Sequence, residues 1–364
     1  SKLDNFFNEN SMKFIEKGIL KKTKDKATSN NLILRKGIEQ NHKYSFLQAI
    51  VSLKSSTNEY YIKELMEYLK PDIFVSLNNG EIFKYFHEQT DYSNNHKIFQ
   101  LWCKTYEDSL KKLKYEVELE NIIDGEEVEI DKNMNIQHLY NIYISMENYK
   151  KYVCDLNIYK DYNLLIDLLS QFSMFNIFII DETKNNHIKL LIPINSDIYN
   201  IYKDNRPNIV LYKVGIFYEP LYELEKNSNN VLLPEKYVFT KPTHVSKINK
   251  LKSVLETQTK TNNISFHKIL DFIKDTEHDI EAIIIDKFFK GVGIFTKNQT
   301  IIHTLPFNVD FEYDFMYMNK IPQLSVEETI TKYGELYEFL KPIIGFQLKL
   351  KNVVVDNNKI HSVL

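Results

Sequence analysis

The chain has 364 residues, 43% of them hydrophobic, and a formal net charge of −3 at pH 7. This length is enough to bury two ordinary hydrophobic cores, so we expect two domains. The nearly balanced charge argues against a dedicated polyanion-binding protein, whose domain would carry a clear basic excess. The sequence has no run of about 18 apolar residues, so we expect no contact with a membrane.

Patterns typical of metal and cofactor sites are missing from the sequence. Cys103 and Cys154 are far apart and lack the CxxC spacing of a zinc site or a redox pair. The acidic segment 124–131 lacks the oxygen-ligand spacing of a calcium loop. Phosphate-loop, HExxH and GxSxG motifs are also missing. We therefore predict no metal site and no cofactor, in a reducing compartment.

The first half of the chain is predicted to be mostly helical. Residues 1–30 are polar and lysine-rich, so we predict a flexible lead-in. Pro71 should end one of the helices that follow, and Asn79-Gly80 marks a turn. Apolar spacing typical of helices covers residues 45–54, 60–70, most of 81–120 and part of 137–173.

The period of the apolar residues then changes to that of strands. Segments rich in β-branched and aromatic residues predict three strands, at 176–181, 187–193 and 209–222. Helices followed by strands is the α+β order of a papain-like fold. We assign residues 31–240 to this first domain, because turn-rich stretches follow the last strand.

Residues 241–364 are predicted to form a smaller α+β domain. A helix is expected at 245–275, and a second one at 326–340 should stop before Pro342. Residues 353–364 look like a hairpin cut off in its second strand, which suggests a fragment of a longer polypeptide. Strands are predicted at 282–286, 291–296, 300–303 and 346–355. We expect the first two of these to pair with each other.

The segment around Ser45 resembles the nucleophile turn of papain-like cysteine proteases, most closely that of ovarian-tumour-type deubiquitinases. A polar loop leads into Ser45-Phe46-Leu47-Gln48-Ala49-Ile50, where those enzymes carry a cysteine at the start of a buried helix. The late strand resembles the strand that supplies their histidine, with Phe217 in the place of that histidine. Gln40 lies near the place of the side-chain oxyanion donor.

This resemblance implies a protease fold without its chemistry. A helix N-terminus lowers the pKa of a thiol, but a serine hydroxyl gains too little from it and needs a general base. Phe217 cannot accept a proton, so we predict no catalytic residue, with Ser45, Phe217 and Gln40 as degenerate positions. His42, His244 and His303 remain candidates for a base, although each is more simply explained as an ordinary polar residue. An engineered cysteine-to-serine change at Ser45 is the alternative explanation of the serine.

Several short segments together resemble the large subunit of the early transcription factor of nucleocytoplasmic large DNA viruses. The segments are 34–40 leading to Ser45, 74–80 with Phe83 and Phe86, 218–220, and 354–358. The resemblance implies a cysteine-protease-like domain followed by a TATA-binding-protein-like domain, the latter corresponding to residues 245–364. It implies a viral ATPase subunit and viral RNA polymerase as partners, with double-stranded DNA as a further candidate, in the virion and the host cytoplasm.

From these observations we expect a non-catalytic binding module of a viral transcription initiation factor. One alternative is a cysteine protease or deubiquitinase whose nucleophile has been changed to Ser45. The other is a structural protein of the virion.

Overall fold

The structure is a computed structural model, and its described residues form an α+β protein, as the sequence predicts. Within them lie ten α-helices, two mixed sheets and a separate two-stranded hairpin. The described residues are 31–35, 37–38, 41–54, 56–90, 92, 96–113, 130–182, 188–193, 202–226, 232–234, 249, 251–253, 266–309, 312–317, 324–344, 353–356 and 359–363. The predicted lead-in at 1–30 and the acidic segment 124–129 lie outside them.

Eight of the helices precede the first long strand, and local sequence signals mark several of their ends. The Thr57 hydroxyl accepts a hydrogen bond from the Tyr60 amide, and Asp161 accepts one from the Asn163 amide, so each caps a helix. One helix ends at Tyr68, before Pro71, as predicted, and Pro71 then begins a new helix. The helices are α1 (Ser45–Val51), α2 (Asn58–Tyr68), α3 (Pro71–Ser76), α4 (Glu81–Phe86), α5 (His96–Thr105), α6 (Glu107–Lys112), α7 (Ile130–Cys154) and α8 (Tyr162–Ser173).

A six-stranded sheet follows these helices. Its strands are β1 (Asn31–Arg35), β2 (Asn176–Glu182), β3 (Ile188–Leu191), β4 (Asn208–Val214), β5 (Phe217–Lys226) and β6 (Leu232–Pro234). The order is β1-β5-β4-β2-β3, with β6 also paired to β5. The β2–β4 pair is parallel and the other pairs are antiparallel.

The predicted single strand at 209–222 is wrong, because the chain forms a hairpin there. Gly215 has a φ of 61°, a left-handed conformation that glycine adopts without steric cost. The chain reverses at this residue, and Val214 then pairs with Phe217. As a result Phe217 is the first residue of β5 and lies at one end of the sheet.

The remaining described elements form the second mixed sheet, its helices and the final hairpin. They are α9 (Phe266–Ile273), β7 (Ile280–Ile285), β8 (Lys290–Thr296), β9 (Ile301–Asn308), β10 (Phe315–Tyr317), α10 (Val326–Ile344), β11 (Val353–Asp356) and β12 (Lys359–Val363). The sheet order is β10-β7-β8-β9, with β10 parallel to β7 and the other pairs antiparallel. The predicted pairing of the first two strands and the predicted final hairpin are confirmed.

The predicted end of the last helix before Pro342 is wrong, because α10 continues to Ile344 with Pro342 inside its last turn. A proline removes one backbone hydrogen bond, and near a helix end this loss affects few residues. Leu336 and Leu340 are both buried and anchor the preceding turns. Of the predicted strand at 346–355, residues 353–355 belong to β11, and the part before 353 lies outside the described residues.

A buried left-handed turn connects the helices to the second sheet. Asn78, Asn79 and Gly80 have φ values of 48°, 55° and 80°, and all three residues are buried. Asparagine tolerates this conformation better than other non-glycine residues. The Asn78 amide donates to Asp167 at 2.7 Å, and the Asn79 side chain donates to the carbonyl of Pro306 at 3.0 Å. The predicted Asn-Gly turn therefore links α8 to β9 through hydrogen bonds to both.

Buried residues from both predicted domains belong to one hydrophobic cluster. An ion pair also joins the two predicted domains, with Lys290 Nζ 2.7 Å from Glu81 Oε2. Burial acts to raise the pKa of Glu81, but the hydrogen bonds and charges of Lys290 and Lys84 outweigh it and lower that pKa. In the described part of the chain, no helix combines the length and apolar composition needed to cross a bilayer.

Replacing Lys290 with methionine should lower the free energy of unfolding by about 1–3 kcal/mol, because it leaves the half-buried Glu81 carboxylate without its main partner. Lys84 pairs with the same carboxylate but is half exposed, so Lys84→Met should cost under about 0.5 kcal/mol. The ionised Glu81 carboxylate contributes to the free energy of unfolding above pH 4.5, and this contribution is lost as the pH falls below that value. Urea denaturation at pH 7 and pH 4 would measure both effects, and equal costs for the two lysines would contradict this account.

Candidate functional site

Ser45 is the first residue of α1 and is almost fully buried, at 3% exposure. The helix forms here because Phe46, Leu47 and Ile50 lie on its buried face. The first helical hydrogen bond runs from the Gln48 amide to the Tyr44 carbonyl at 2.9 Å. Neither an acidic residue nor a side-chain cap occupies the first turn.

The start of β5 lies directly against Ser45. The main-chain N–H of Tyr218 donates a hydrogen bond to Ser45 Oγ at 2.9 Å, and this bond is buried. Phe217, which the sequence places at the histidine position, is the neighbouring residue on the same strand and is half-buried. The structure thus brings together the helix start and the late strand that the sequence analysis paired.

The rings around Ser45 offer no base. Phe46 contacts the Tyr218 ring edge-on at 5.2 Å, and Tyr162 lies 6.3 Å from Phe46 and 6.4 Å from Tyr218, measured between ring centroids. Burial raises the pKa of both tyrosines, so their hydroxyls stay protonated at neutral pH. A protonated phenol cannot take the proton of Ser45.

The predicted candidate bases do not reach Ser45 where the structure describes them. His42 is exposed in the turn before α1, and His303 is exposed on β9 of the other sheet. Gln40 and His244 lie outside the described residues. Among the described residues, no imidazole and no carboxylate is hydrogen-bonded to Ser45 Oγ, which accepts its hydrogen bond from the Tyr218 amide.

Lys160 supports the turn before Ser45 and was missed by the sequence analysis. Its main-chain N–H donates to the Lys43 carbonyl at 2.6 Å. Its buried ammonium group donates to the carbonyls of Tyr152 and Asp155 at the end of α7 and lies 4.5 Å from the centre of the Tyr152 ring. The side chain therefore fixes the α7–α8 connection beside the Ser45 turn, and its nitrogen is engaged by α7 rather than by Ser45.

Burial lowers the pKa of Lys160 to about 8, with the charge of Asp155 opposing this shift. A lysine with a lowered pKa can serve as the base for a serine nucleophile, but such a role requires contact with the hydroxyl. A single lysine between two helices carries no sequence pattern that distinguishes it from a surface lysine, so sequence reasoning had no signal for it.

The pH dependence of stability should report the buried ammonium of Lys160. Its pKa is about 8 in the folded chain and near 10.5 when exposed, so the unfolded chain holds more protons between these values. Lys160 should therefore make stability rise with pH above 8, by at most about 1.4 kcal/mol per pH unit, while buried Cys103, whose pKa is raised from 9.0 to about 12, opposes this rise near pH 9. Guanidinium denaturation from pH 7.5 to about 9.5, below the ordinary tyrosine pKa, would measure the slope. Because Cys103 contributes equally to every variant, differences in slope report Lys160. Lys160→Met should lack the rise that the wild type shows, and Lys104→Met, a change of an exposed lysine, should keep it; a slope in Lys160→Met equal to that of the wild type would contradict the assignment.

The cysteines and acidic residues form no second site within the described residues. Cys103 is buried, Cys154 is exposed, and both are free thiols. Burial raises the pKa of Cys103 to about 12, which makes this thiol inert at neutral pH. Within the described ranges, no group of three or more histidine, cysteine, aspartate or glutamate side chains could hold a metal ion.

No protein-family model matches the chain, and no curated protein matches it in sequence.

Proposed function

We propose that this chain is a non-catalytic binding module built on a degenerate papain-like scaffold of the ovarian-tumour type. The observation that carries this proposal is the hydrogen bond from the Tyr218 amide to Ser45 Oγ. It sets a helix start against a strand, which is the arrangement that a cysteine–histidine protease uses. The residue beside Tyr218 is Phe217, whose ring has no proton-accepting atom.

Two features around Ser45 support a role in binding rather than in catalysis. The hydroxyl already accepts a main-chain hydrogen bond, and no imidazole or carboxylate of the described residues is hydrogen-bonded to it. Some of the exposed residues nearby are apolar or aromatic: Ile158, Tyr159 and Ile216 are each close to half exposed. Isolated exposed apolar side chains are common, but tyrosine and isoleucine beside the Ser45 turn fit contact with another protein.

The competing proposal is an active cysteine protease with its nucleophile changed to serine. The position of Ser45 fits both proposals, and Phe217 favours ours. Restoring cysteine with Ser45→Cys and adding a ubiquitin-based covalent probe would separate them. We expect no covalent adduct at position 45, because no base would activate the thiol; an adduct formed at the rate of an active deubiquitinase would overturn the proposal.

We further propose that the module acts in a viral transcription initiation complex, with a viral ATPase subunit and viral RNA polymerase as partners. The segments that resemble the viral early transcription factor support this proposal, as does the α+β organisation of residues 266–344, which is compatible with a TATA-binding-protein-like unit. Double-stranded DNA is the testable partner. Affinity for a promoter duplex measured at several salt concentrations should fall as salt rises, with a shallow slope because the net charge is −3; no binding at low salt would remove DNA from the proposal.

A further inference from the structure

Five rings join the helical part of the molecule to the four-stranded sheet, and we call them the ring junction. They are Phe83, His87, His138, Phe288 and Phe289. Phe288 contacts the rings of Phe83 and His87, each at 5.5 Å between centroids. His138 stacks on Phe289 at 5.4 Å with an interplanar angle of 7°. Two histidines, His87 directly after α4 and His138 on α7, thus contact the turn from β7 to β8.

The hydrogen bonds of His138 define its neutral form. Its Nε2 lies 2.7 Å from the Lys287 carbonyl, which can only accept, so Nε2 carries a hydrogen. Its Nδ1 lies 3.3 Å from the hydroxyl of Tyr317 on β10, and in the neutral ring this nitrogen accepts. Adding a proton to Nδ1 would convert an acceptor into a second donor and disturb the contact with Tyr317.

The surroundings of His87 stabilise a positive charge even less than those of His138. Its Nδ1 is buried and has no hydrogen-bond partner among the described residues. The ring packs edge-on against Phe83 and Phe288. A protonated ring would place an unpaired donor between two aromatic rings, which is costly in an apolar environment.

The charged groups that face the two histidines do not compensate for protonation. Lys287 is cationic and opposes a charge on His87, and His87 opposes a charge on His138. Asp286 favours a charged His138, but its carboxylate already accepts from the amides of Phe288 and Lys290. Glu88 follows His87 in the chain and accepts from the side chain of Asn148 at 3.2 Å.

We propose that the ring junction is an acid-sensitive latch, in which protonation of His87 and His138 releases the β7–β8 turn from α4 and α7. This proposal does not depend on the function proposed above. Burial is the largest cause that lowers the pKa of both histidines, so the folded state favours the neutral rings. The neutral histidines therefore make their whole contribution to the stability of the junction above pH 6.5, the ordinary histidine pKa. This contribution is lost as the pH falls below that value. The Glu81–Lys290 ion pair crosses the same interface but titrates below pH 4.5, outside this window.

Hydrogen–deuterium exchange of the full chain at pH 7.5 and 5.5, corrected for intrinsic exchange rates, tests the latch. Each histidine can contribute up to about tenfold per pH unit, so protection of the peptides covering 81–88 and 286–290 should fall roughly tenfold or more at pH 5.5. Protection of α8 should stay unchanged. The double variant His87→Phe and His138→Gln, which keeps a ring at one position and an amide donor at the other, should lose this pH response. His303→Gln is the matched control and should keep it.

Three results would overturn the latch. They are equal protection of the wild-type junction at both pH values, a uniform loss of protection throughout the chain, and a pH response that persists in the double variant. If the double variant does not fold, His87→Phe alone serves, because the buried Nδ1 makes no hydrogen bond to lose. In His87→Phe, the logarithm of the fold-loss of protection between pH 7.5 and 5.5 should be roughly half that of the wild type, since one of two titrating groups remains. An undiminished loss of protection would contradict the proposal.

Discussion

Replacing Gly80 with alanine should lower the free energy of unfolding by about 2–5 kcal/mol, the sum of the costs of a left-handed non-glycine residue and of an overpacked contact. The φ of Gly80 is +80°, and a Cβ atom there would lie 2.6 Å from the Phe288 carbonyl oxygen. That oxygen belongs to the backbone of the β7–β8 turn, which the Lys290–Glu81 ion pair and the ring junction hold in place. The clash therefore cannot be relieved by a side-chain rotation.

Gly215 provides the matched control for this change. Its φ is +61°, but a Cβ atom there would meet no atom within 4 Å. Gly215→Ala should therefore cost only about 1–2 kcal/mol, from the backbone conformation alone. Urea denaturation followed by far-ultraviolet circular dichroism would measure both variants. Equal costs would show that the turn at Gly80 is not packed against the second sheet.

The second large effect concerns the pairing of Ser45 with Phe217. Combining Ser45→Cys with Phe217→His should raise the rate of alkylation by iodoacetamide at pH 6 by about 100-fold over Ser45→Cys alone. An isolated thiol is almost entirely protonated at this pH, whereas a thiol paired with an imidazole is largely a thiolate. Cys103→Ser and Cys154→Ser should be included throughout, so that position 45 carries the chain's one thiol.

The position of the imidazole provides the control for the second effect. Ser45→Cys with Ile216→His places the same group one residue earlier, in the exposed turn before β5. This variant should react no faster than Ser45→Cys alone, because residue 216 lies in the exposed turn outside the strand whose start bonds Ser45. Equal acceleration by the two histidines would contradict the geometry, since it would mean that a nearby charge suffices.

The part of the site that could be predicted from sequence is the part encoded in local patterns. Apolar spacing after Ser45 predicted α1, and the β-branched run before Tyr218 predicted the strand that lies against it. The hydrogen bond between them joins residues 173 apart in sequence. The resemblance to a protease, rather than the pattern of either segment, brought these two elements together.

Features that depend on long-range packing could not be predicted. Asn79-Gly80 marks a turn in any sequence, but its burial against the second sheet depends on Pro306 and Phe288, more than 200 residues away. The hairpin at Gly215 was missed because the apolar residues on both sides give one continuous strand pattern. Lys160 was missed because the carbonyls that hold it belong to the end of another helix.

The central claim is that the Ser45 hydroxyl has no group that can ionise it. Treating the unmodified chain with a fluorophosphonate, followed by mass spectrometry of the peptide that contains Ser45, tests this claim most directly. Such reagents modify serines that a general base has activated. We predict no adduct at Ser45 after prolonged incubation, whereas stoichiometric labelling of that residue would contradict the account.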